Sequence, residues 1–498
     1  MRRRRASRTA ALGEDAPMVE DLLELAVDLG RRLGAKYAEA RYQRDVGSQT
    51  LLKNGVPEVT AESASSGISV RVIYDGGLGF ASTNRLMRSS VDRAVREAVD
   101  MAKAVSKHVR TKLEMSEENM GRASYEVRPR VRFEDVDIES RIELLREADE
   151  RALEAGARLG VKLATRMLEV GRWETVKHVV NSDGGDVRSK TVRATFDYTI
   201  TIFSQQHDSI QRFENLGEAR GWEAVERWNL PDKIAGEVEE TGRALLTGVE
   251  PPKENVNVVL GPEIVGLVCH ESCGHPGEAD RMLGREAAQA GETYIKRELL
   301  GTTIGSENVT VVDDPRLPSS FGHYLYDEEC VAARERILID RGVLRELLHN
   351  RETAPLFGEH SNGASRASYY DREPIVRMAN TYMRPGDYGL EELLESAGDG
   401  LYIRSYQEWN IDDKRWNQRY VGVVAYRIRG GELAEMVRDP VVDLTTKGLF
   451  SSVAAVGRDL SFSAGYCGKG DPMQGIPVWF GGPSILLKNV RVGVRRHQ

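Results

Sequence analysis

The first clear pattern along the chain is VEDLLELAVDLGRRL at 19–33, where Leu22, Leu23, Leu25, Ala26 and Leu29 form one stripe at helical spacing. Short runs with strand-like alternation follow: YAEARYQ, then GISVRVI and GLGFAST on either side of the turn Asp75-Gly76-Gly77. Helical spacing returns at 88–106, 138–157 and 221–246. Between the last two lie alternating runs such as HVVNSDGGDVRSKTVRATFDYTITIF, in which Asp183-Gly184 predicts a hairpin turn. Near Pro251-Pro252 the texture changes. VNVVLGPEIVGLVCHE predicts a buried strand, a turn at Gly261-Pro262, and a helix starting at Pro262 or just after it. Beyond this point VTVVDD, VLRELLH, GLYIRSY, YVGVVAYRIRGGEL and PSILLKNVRVG make the chain mostly strand-like, with many glycines. The patterns predict an α+β protein. A disordered tail at 1–17 precedes an N-terminal domain of helices and antiparallel strands over 18–250. A β-rich C-terminal domain spans 251–498.

Composition narrows the classes. At 498 residues, 40% hydrophobic and 29% charged, the chain has material for more than one core. No window reaches the roughly 18–20 apolar residues of a membrane span. The balance of 69 basic and 77 acidic residues gives a net charge of −8, which argues against a nucleic-acid partner. Arg2 to Arg5 resemble the start of a signal peptide, but Glu14, Asp15, Glu20 and Asp21 interrupt any apolar segment after them. Met18, just before the first helical pattern, is a second candidate start. The cysteines are Cys269, Cys273, Cys330 and Cys467, and no two form a C-x-x-C pair. Without a secretory pattern this predicts a reducing, cytoplasmic setting.

The candidate chemistry lies in VGLVCHESCGHPGEAD, which starts at Val265 and holds His270, Glu271 and His275. Two neutral imidazoles on one short segment suit Zn²⁺, and a neighbouring carboxylate can activate a water. The metalloprotease signature H-E-x-x-H spaces its histidines four apart on one helix face. Here they are five apart. On a regular helix residues four apart differ by about 40° around the axis, and residues five apart by about 140°. For both imidazoles to meet one ion, the helix must bulge or end near Gly274. A π-bulge takes up one residue, glycine tolerates unusual angles, and Pro276 stops a regular helix. A third ligand is required. Glu278, Cys273 and the distant Cys467, in SAGYCGKGDPMQGIPV, are the candidates.

From about residue 18 to the end, and most densely after 255, the chain resembles the TldD/PmbA family, also called modulators of DNA gyrase. HESCGH with Glu278 and Asp280, FGHYLYDEECVAARERILIDRGVL, LLHNRETA, PIVRMANTYMRPGD and AGYCGKGDPMQGIPVWFGGP match family blocks in the family's order. The resemblance implies a zinc metallopeptidase of the TldD branch, with His270, His275 and Cys467 as ligands and Glu271 as general base. PmbA-like relatives lack H-E-x-x-x-H. The family also implies a dimer, either of two copies or with a PmbA-like partner. There are departures. Cys330 replaces a glycine, 405–410 replace a glycine-rich stretch, WNIDDKRWNQR is bulkier and more charged, and Asp471-Pro472-Met473 lengthen the loop after Cys467. None touches a proposed ligand, and they bear on specificity and on the wall of the cleft.

The expected reaction is hydrolysis of peptide bonds in small or unfolded polypeptides. Glu271 takes the proton of the attacking water and delivers it to the leaving amine. The strand-rich second domain suggests that an extended substrate adds to a sheet edge. His323, Arg377 and Tyr466 are candidates for a second electrophile by position alone, and a structural or surface role is the simpler reading of each. Two other classes compete. One is a regulatory or binding subunit with a structural metal, closed by Glu278 or Cys273. The other is a metallohydrolase acting on a different amide or ester.

Overall fold

The computed structural model describes residues 16–286 and 291–495. The arginine run and most of the predicted tail lie outside the described residues. Helix α1 (Ala16–Arg32) carries the first apolar stripe, with Val19, Leu22, Leu23, Ala26 and Leu29 buried. The N-terminal sheet comprises β1 (Tyr37–Lys53), β2 (Val56–Tyr74), β3 (Gly77–Thr83), β4 (Arg122–Glu126), β5 (Lys162–Asn181), β6 (Asp186–Ser204) and β7 (Asp208–Glu218). Its order is β3-β2-β1-β5-β6, with β4 (parallel) and β7 (antiparallel) both paired to β6. Strands β1, β2, β5 and β6 run 17 to 20 residues, much longer than the short runs predicted.

The two faces of this sheet explain the difference. Alternation puts Ala38, Ala40, Leu168, Val170, Phe196 and Ile200 on one face. That face is covered by α1 and α2 (Arg88–Ser106) at one end, and by α3 (Ile138–Leu159) with α5 (Leu230–Thr247) at the other. The helical pattern predicted at 221–246 is two helices, α4 (Trp222–Trp228) and α5. They are separated by Asn229, whose φ of 46° breaks the run before Pro231. The opposite face is polar yet buried, because the C-terminal half packs on it. Arg41 Nη2 donates to the carbonyls of Tyr369 (3.0 Å) and Arg372 (2.6 Å). Arg71 pairs with Glu39 at 2.8 Å and with Glu329 at 2.7 Å. Arg193 Nε donates to the Phe321 carbonyl at 2.7 Å. Breaking one partner of a buried pair costs about 3–5 kcal/mol, so these contacts fix how the halves meet even where they add little net stability.

The C-terminal half holds β8 (Asn255–Leu260), β9 (Val311–Asp313), β10 (Arg336–Asp340), β11 (Val343–Leu344), β12 (Ser365–Arg366), β13 (Ile375–Val376) and β14 (Asn380–Met383). It continues with β15 (Gly400–Ile411), β16 (Asn417–Arg429), β17 (Glu432–Met436), β18 (Pro440–Thr445), β19 (Val453–Val456), β20 (Ser461–Lys469), β21 (Gln474–Gly482) and β22 (Ile485–Val494). One sheet runs β15-β8-β22-β18-β16-β17 with β19 on β22, and a second runs β11-β10-β9-β14-β21-β20. Helix α6 (Pro262–Cys269) joins them. It starts at Pro262, as the Gly261-Pro262 pair predicts, and buries Ile264, Val265, Leu267 and Val268 in a core shared with Val258, Leu260 and Leu487. A Cβ at Gly266 would sit 2.8 Å from the backbone nitrogen of Gly481, so glycine lets α6 lie directly on β21. The architecture is the α+β arrangement predicted, with a β-rich C-terminal region. Among the described residues no helix is long and apolar enough to cross a membrane.

Candidate metal centre

Helix α6 ends in a π turn over His270–Gly274. The amide of His275 donates to the carbonyl of His270 at 3.0 Å, a bond that skips five residues rather than four. The extra residue is thereby absorbed, and the two imidazole rings lie 4.8 Å apart between centroids at an interplanar angle of 81°. The predicted bulge is present, but the reason for glycine differs from the one expected. Gly274 does not adopt a positive φ. A Cβ there would lie 2.7 Å from Met378 Sδ and 3.1 Å from Thr381 Oγ1, so glycine leaves room for the Met378 side chain packed against the turn. Past His275 the chain turns, and Pro276 stands where the helix stops.

The β20–β21 hairpin brings in the third group. Cys467 Sγ lies 3.2 Å from His275 Nε2, and the candidate donor atoms of His270, His275 and Cys467 all lie within 4.8 Å of one another. Donors on a tetrahedral zinc are about 3.3–3.6 Å apart, given metal–nitrogen and metal–sulfur bonds of about 2.0–2.3 Å. The set fits such an ion, and all three residues are buried. Burial opposes a thiolate at Cys467, but His275, His270 and Arg377 outweigh it and hold the thiol well below its ordinary value. The thiolate is the form that ligates a metal. Burial lowers His270. At His275 burial acts the same way, but Cys467 and Glu278 overcome it and raise that imidazole.

Glu278 stands behind His275 and not beside Cys467. Its Oε2 is 3.1 Å from His275 Nδ1, accepts from Arg281 Nε at 2.7 Å, and lies 3.3 Å from Lys469 Nζ. Burial favours the neutral acid, yet Lys469, His275 and Arg281 hold Glu278 well below the usual carboxylate range. It is placed to fix the ring and tautomer that present Nε2 to an ion, the outer-sphere role of a carboxylate behind a ligating histidine. Cys273 is buried among apolar side chains of the core, where desolvation raises its thiol well above the ordinary value. Neither joins the group of three.

Glu271, next to His270 in the chain, is buried, and Arg415 Nη1 donates to its Oε2. Arg415 comes from WNIDDKRWNQR, the segment expected to bear on specificity and the cleft wall. The other positional candidates do different work. Arg377 is fully buried, and its Nη groups donate to the carbonyls of Cys467 and, at 2.9 Å, Gln474, bracing the hairpin. Tyr466 neighbours Cys467 on the strand, so its side chain leaves the opposite face, where it meets Phe321 at 5.3 Å between centroids. His323 lines a separate polar cavity with Lys177, Arg193 and Arg366. The signal that could have found Arg415 is D-D-K-R between two strand-like runs, a tight turn with an arginine where turns usually place glycine or asparagine.

Comparison with known proteins identifies the family. Family models match residues 38–102 as PmbA/TldA metallopeptidase domain 1, 131–246 as the central domain, and 253–494 as the C-terminal domain. A metalloprotease of Methanothermobacter thermautotrophicus is 30% identical over 92% of this chain and 95% of its own length. A zinc metalloprotease TldD homolog of Saccharolobus solfataricus is 25% identical over 93% of this chain and 97% of its own. The crystal structure of TldE from Thermococcus kodakarensis superposes with a TM-score of 0.74 at 17% identity, covering 95% of this chain and all of that one, a likeness of fold.

Proposed function

The chain belongs to the PmbA/TldD family of metallopeptidases, and on that premise we propose that it is a zinc-dependent peptidase acting on small or unfolded polypeptides. His270, His275 and Cys467 would hold the ion, and Glu271 would be the general base. The observation that carries this reading is the π turn, which sets both imidazoles against the Cys467 sulfur. Three protein donors with Glu278 turned to the far side of His275 suit a site that keeps one position for water. This favours catalysis over a closed structural site. Bound there, zinc would polarise the substrate carbonyl and acidify the water.

This chain's own groups divide the remaining work. Glu278 and Arg281 hold His275, Arg377 holds the backbone at Cys467, and Glu271 accepts the proton of the attacking water and passes it to the leaving amine. Strand β20, which carries Cys467, ends its sheet and pairs with β21 alone among the described strands. That supports an extended peptide bound alongside it through main-chain hydrogen bonds, with little side-chain preference. A dimer, with a second copy or a PmbA-like partner, and a cytoplasmic setting belong to the same proposal.

The test is to incubate wild type and Glu271→Gln with a mixed peptide pool and read new termini by mass spectrometry. Wild type should generate them. The variant should be slower by about 10²–10⁴-fold, the usual worth of a general base, with zinc still near one per chain. Equal cleavage by the variant sinks the role of Glu271. No cleavage by wild type, with hydrolysis of other amides or esters instead, favours the non-peptidase alternative.

A further inference from the structure

Arg415 sits in the turn between β15 and β16. Asp412 closes that turn, accepting from the amides of Trp416 at 2.8 Å and Asn417 at 3.1 Å. Arg415 itself has φ 58°, the left-handed region that glycine or asparagine enters at less cost. The turn is anchored on both sides. The Arg415 carbonyl accepts from the Thr446 hydroxyl at 2.9 Å, and Trp416 packs on Tyr294, whose hydroxyl donates to the Ser272 carbonyl within the π turn. Held this way the side chain is 8% exposed and reaches Glu271. Its Nε is buried with no hydrogen-bond partner. A guanidinium carries five donors, and leaving them unused in a buried place is costly. The neighbouring cations are committed elsewhere: Arg377 Nη groups to the hairpin carbonyls, and Lys469 to Asp280.

We propose that Arg415 is a further catalytic residue, whose guanidinium rests on Glu271 in the free chain and donates to the oxyanion formed when water adds to a peptide carbonyl. The proposal rests on the metallopeptidase reading. In that step the water oxygen bonds to the carbonyl carbon, and the C=O π pair moves onto the carbonyl oxygen. One water proton passes to Glu271. The oxygen pair then re-forms C=O, the C–N bond breaks with its electrons on nitrogen, and Glu271 returns the proton to that nitrogen. During attack the negative charge leaves Glu271 and appears on the carbonyl oxygen. A guanidinium already docked on the first can follow the charge to the second, and no new ion has to be desolvated. Donors fixed where charge develops act most strongly in a water-poor site.

The experiment compares wild type, Arg415→Lys and Arg415→Met on one peptide with a free or amidated C-terminus, with zinc content and thermal unfolding measured in parallel. A phosphinic analogue of the same peptide, whose tetrahedral P–O⁻ mimics the oxyanion, is titrated by calorimetry. Arg415→Met should lose about 100-fold or more in kcat, the usual effect of removing an oxyanion donor. KM and zinc content should barely change, and the analogue should bind more weakly by the factor lost in kcat/KM. Arg415→Lys should recover part of the rate. A wild-type kcat in Arg415→Met overturns the proposal. So does a loss confined to KM that vanishes with the amidated peptide, which would make Arg415 a reader of the terminal carboxylate. Loss of zinc or of folding in both variants gives Arg415 a structural role and also overturns it. If wild type cleaves no peptide, the metallopeptidase reading fails and the proposal falls with it.

Discussion

Replacing Glu278 by glutamine keeps the shape of the side chain and removes one negative charge from a fully buried position. In the native site that charge faces Arg281 Nε at 2.7 Å, His275 Nδ1 at 3.1 Å and Lys469 Nζ at 3.3 Å. Breaking a buried charge pair by removing one partner costs about 3–5 kcal/mol. Lys469 keeps Asp280 at 2.7 Å and the Val376 carbonyl at 2.7 Å, so the loss belongs at the lower end, about 3 kcal/mol. That is a large share of a typical stability of about 5–15 kcal/mol, yet short of unfolding the chain. The metal site should suffer separately. Removing the carboxylate behind a ligating histidine weakens metal binding by about 10–100-fold. The glutamine oxygen can still accept from Nδ1–H, so roughly tenfold is expected, about 1.4 kcal/mol. Urea unfolding of the metal-free proteins reads the first quantity, and zinc competition against a chelator of known affinity reads the second. An unchanged unfolding midpoint together with unchanged zinc affinity would refute the view that Glu278 braces His275 and neutralises the buried cations.

Gly274→Ala should destabilise by about 1–3 kcal/mol, the usual cost of overpacking, because its Cβ would meet Met378 Sδ at 2.7 Å. It should also lower zinc per chain by displacing His275, and full zinc content with native stability would show that the turn has room. His349 is buried, and burial brings its imidazole down to about 4. An unfolded histidine titrates near about 6.5, so the unfolded chain takes up a proton that the folded one refuses. That contribution is fully present above about pH 6.5 and is lost as pH falls toward about 4, by about 3 kcal/mol. His349→Gln should therefore lose less stability than wild type between pH 7 and pH 4.5 in urea titrations. Parallel losses in the two proteins would reject the assignment.

Much of the site was legible because its constraint is local. Two histidines five apart on one helix cannot meet without a bulge, and that follows from helical pitch alone. Cys467 was not legible in that way. It reaches His275 only because β20 pairs with β21 and β21 lies under α6, a tertiary path with no trace in the residues around Cys467. Resemblance to a family singled it out among three candidates. The long strands were underread for a related reason. Glu39, Arg41 and Gln43 alternate with Ala38, Ala40 and Tyr42 as though they faced water, whereas the C-terminal half covers them. Sequence alternation reports polarity, and a polar face buried against a polar partner looks the same as a solvated one. Arg415 was missed because its reach depends on a backbone angle, and no periodicity encodes that.

The donors also come from different layers of the C-terminal half. His270 and His275 stand at the end of α6, which follows a strand of one sheet, and Cys467 is on the end strand of the other, 192 residues beyond His275. The buried charges join the same pieces: Glu278, just past the π turn, meets Lys469 on β20, and Arg377, ahead of β14, holds the carbonyl of Cys467. Donors that come from the end of α6 and from β20 meet only when those pieces are docked, so an ion bound there would act on the docked state and not on either part alone. Such linkage is worth about 4 kcal/mol when free metal exceeds its dissociation constant a thousandfold. The Glu278 network holds the same geometry through protein contacts alone. Under the proposed function the three donors would hold the ion while one position stayed free for chemistry.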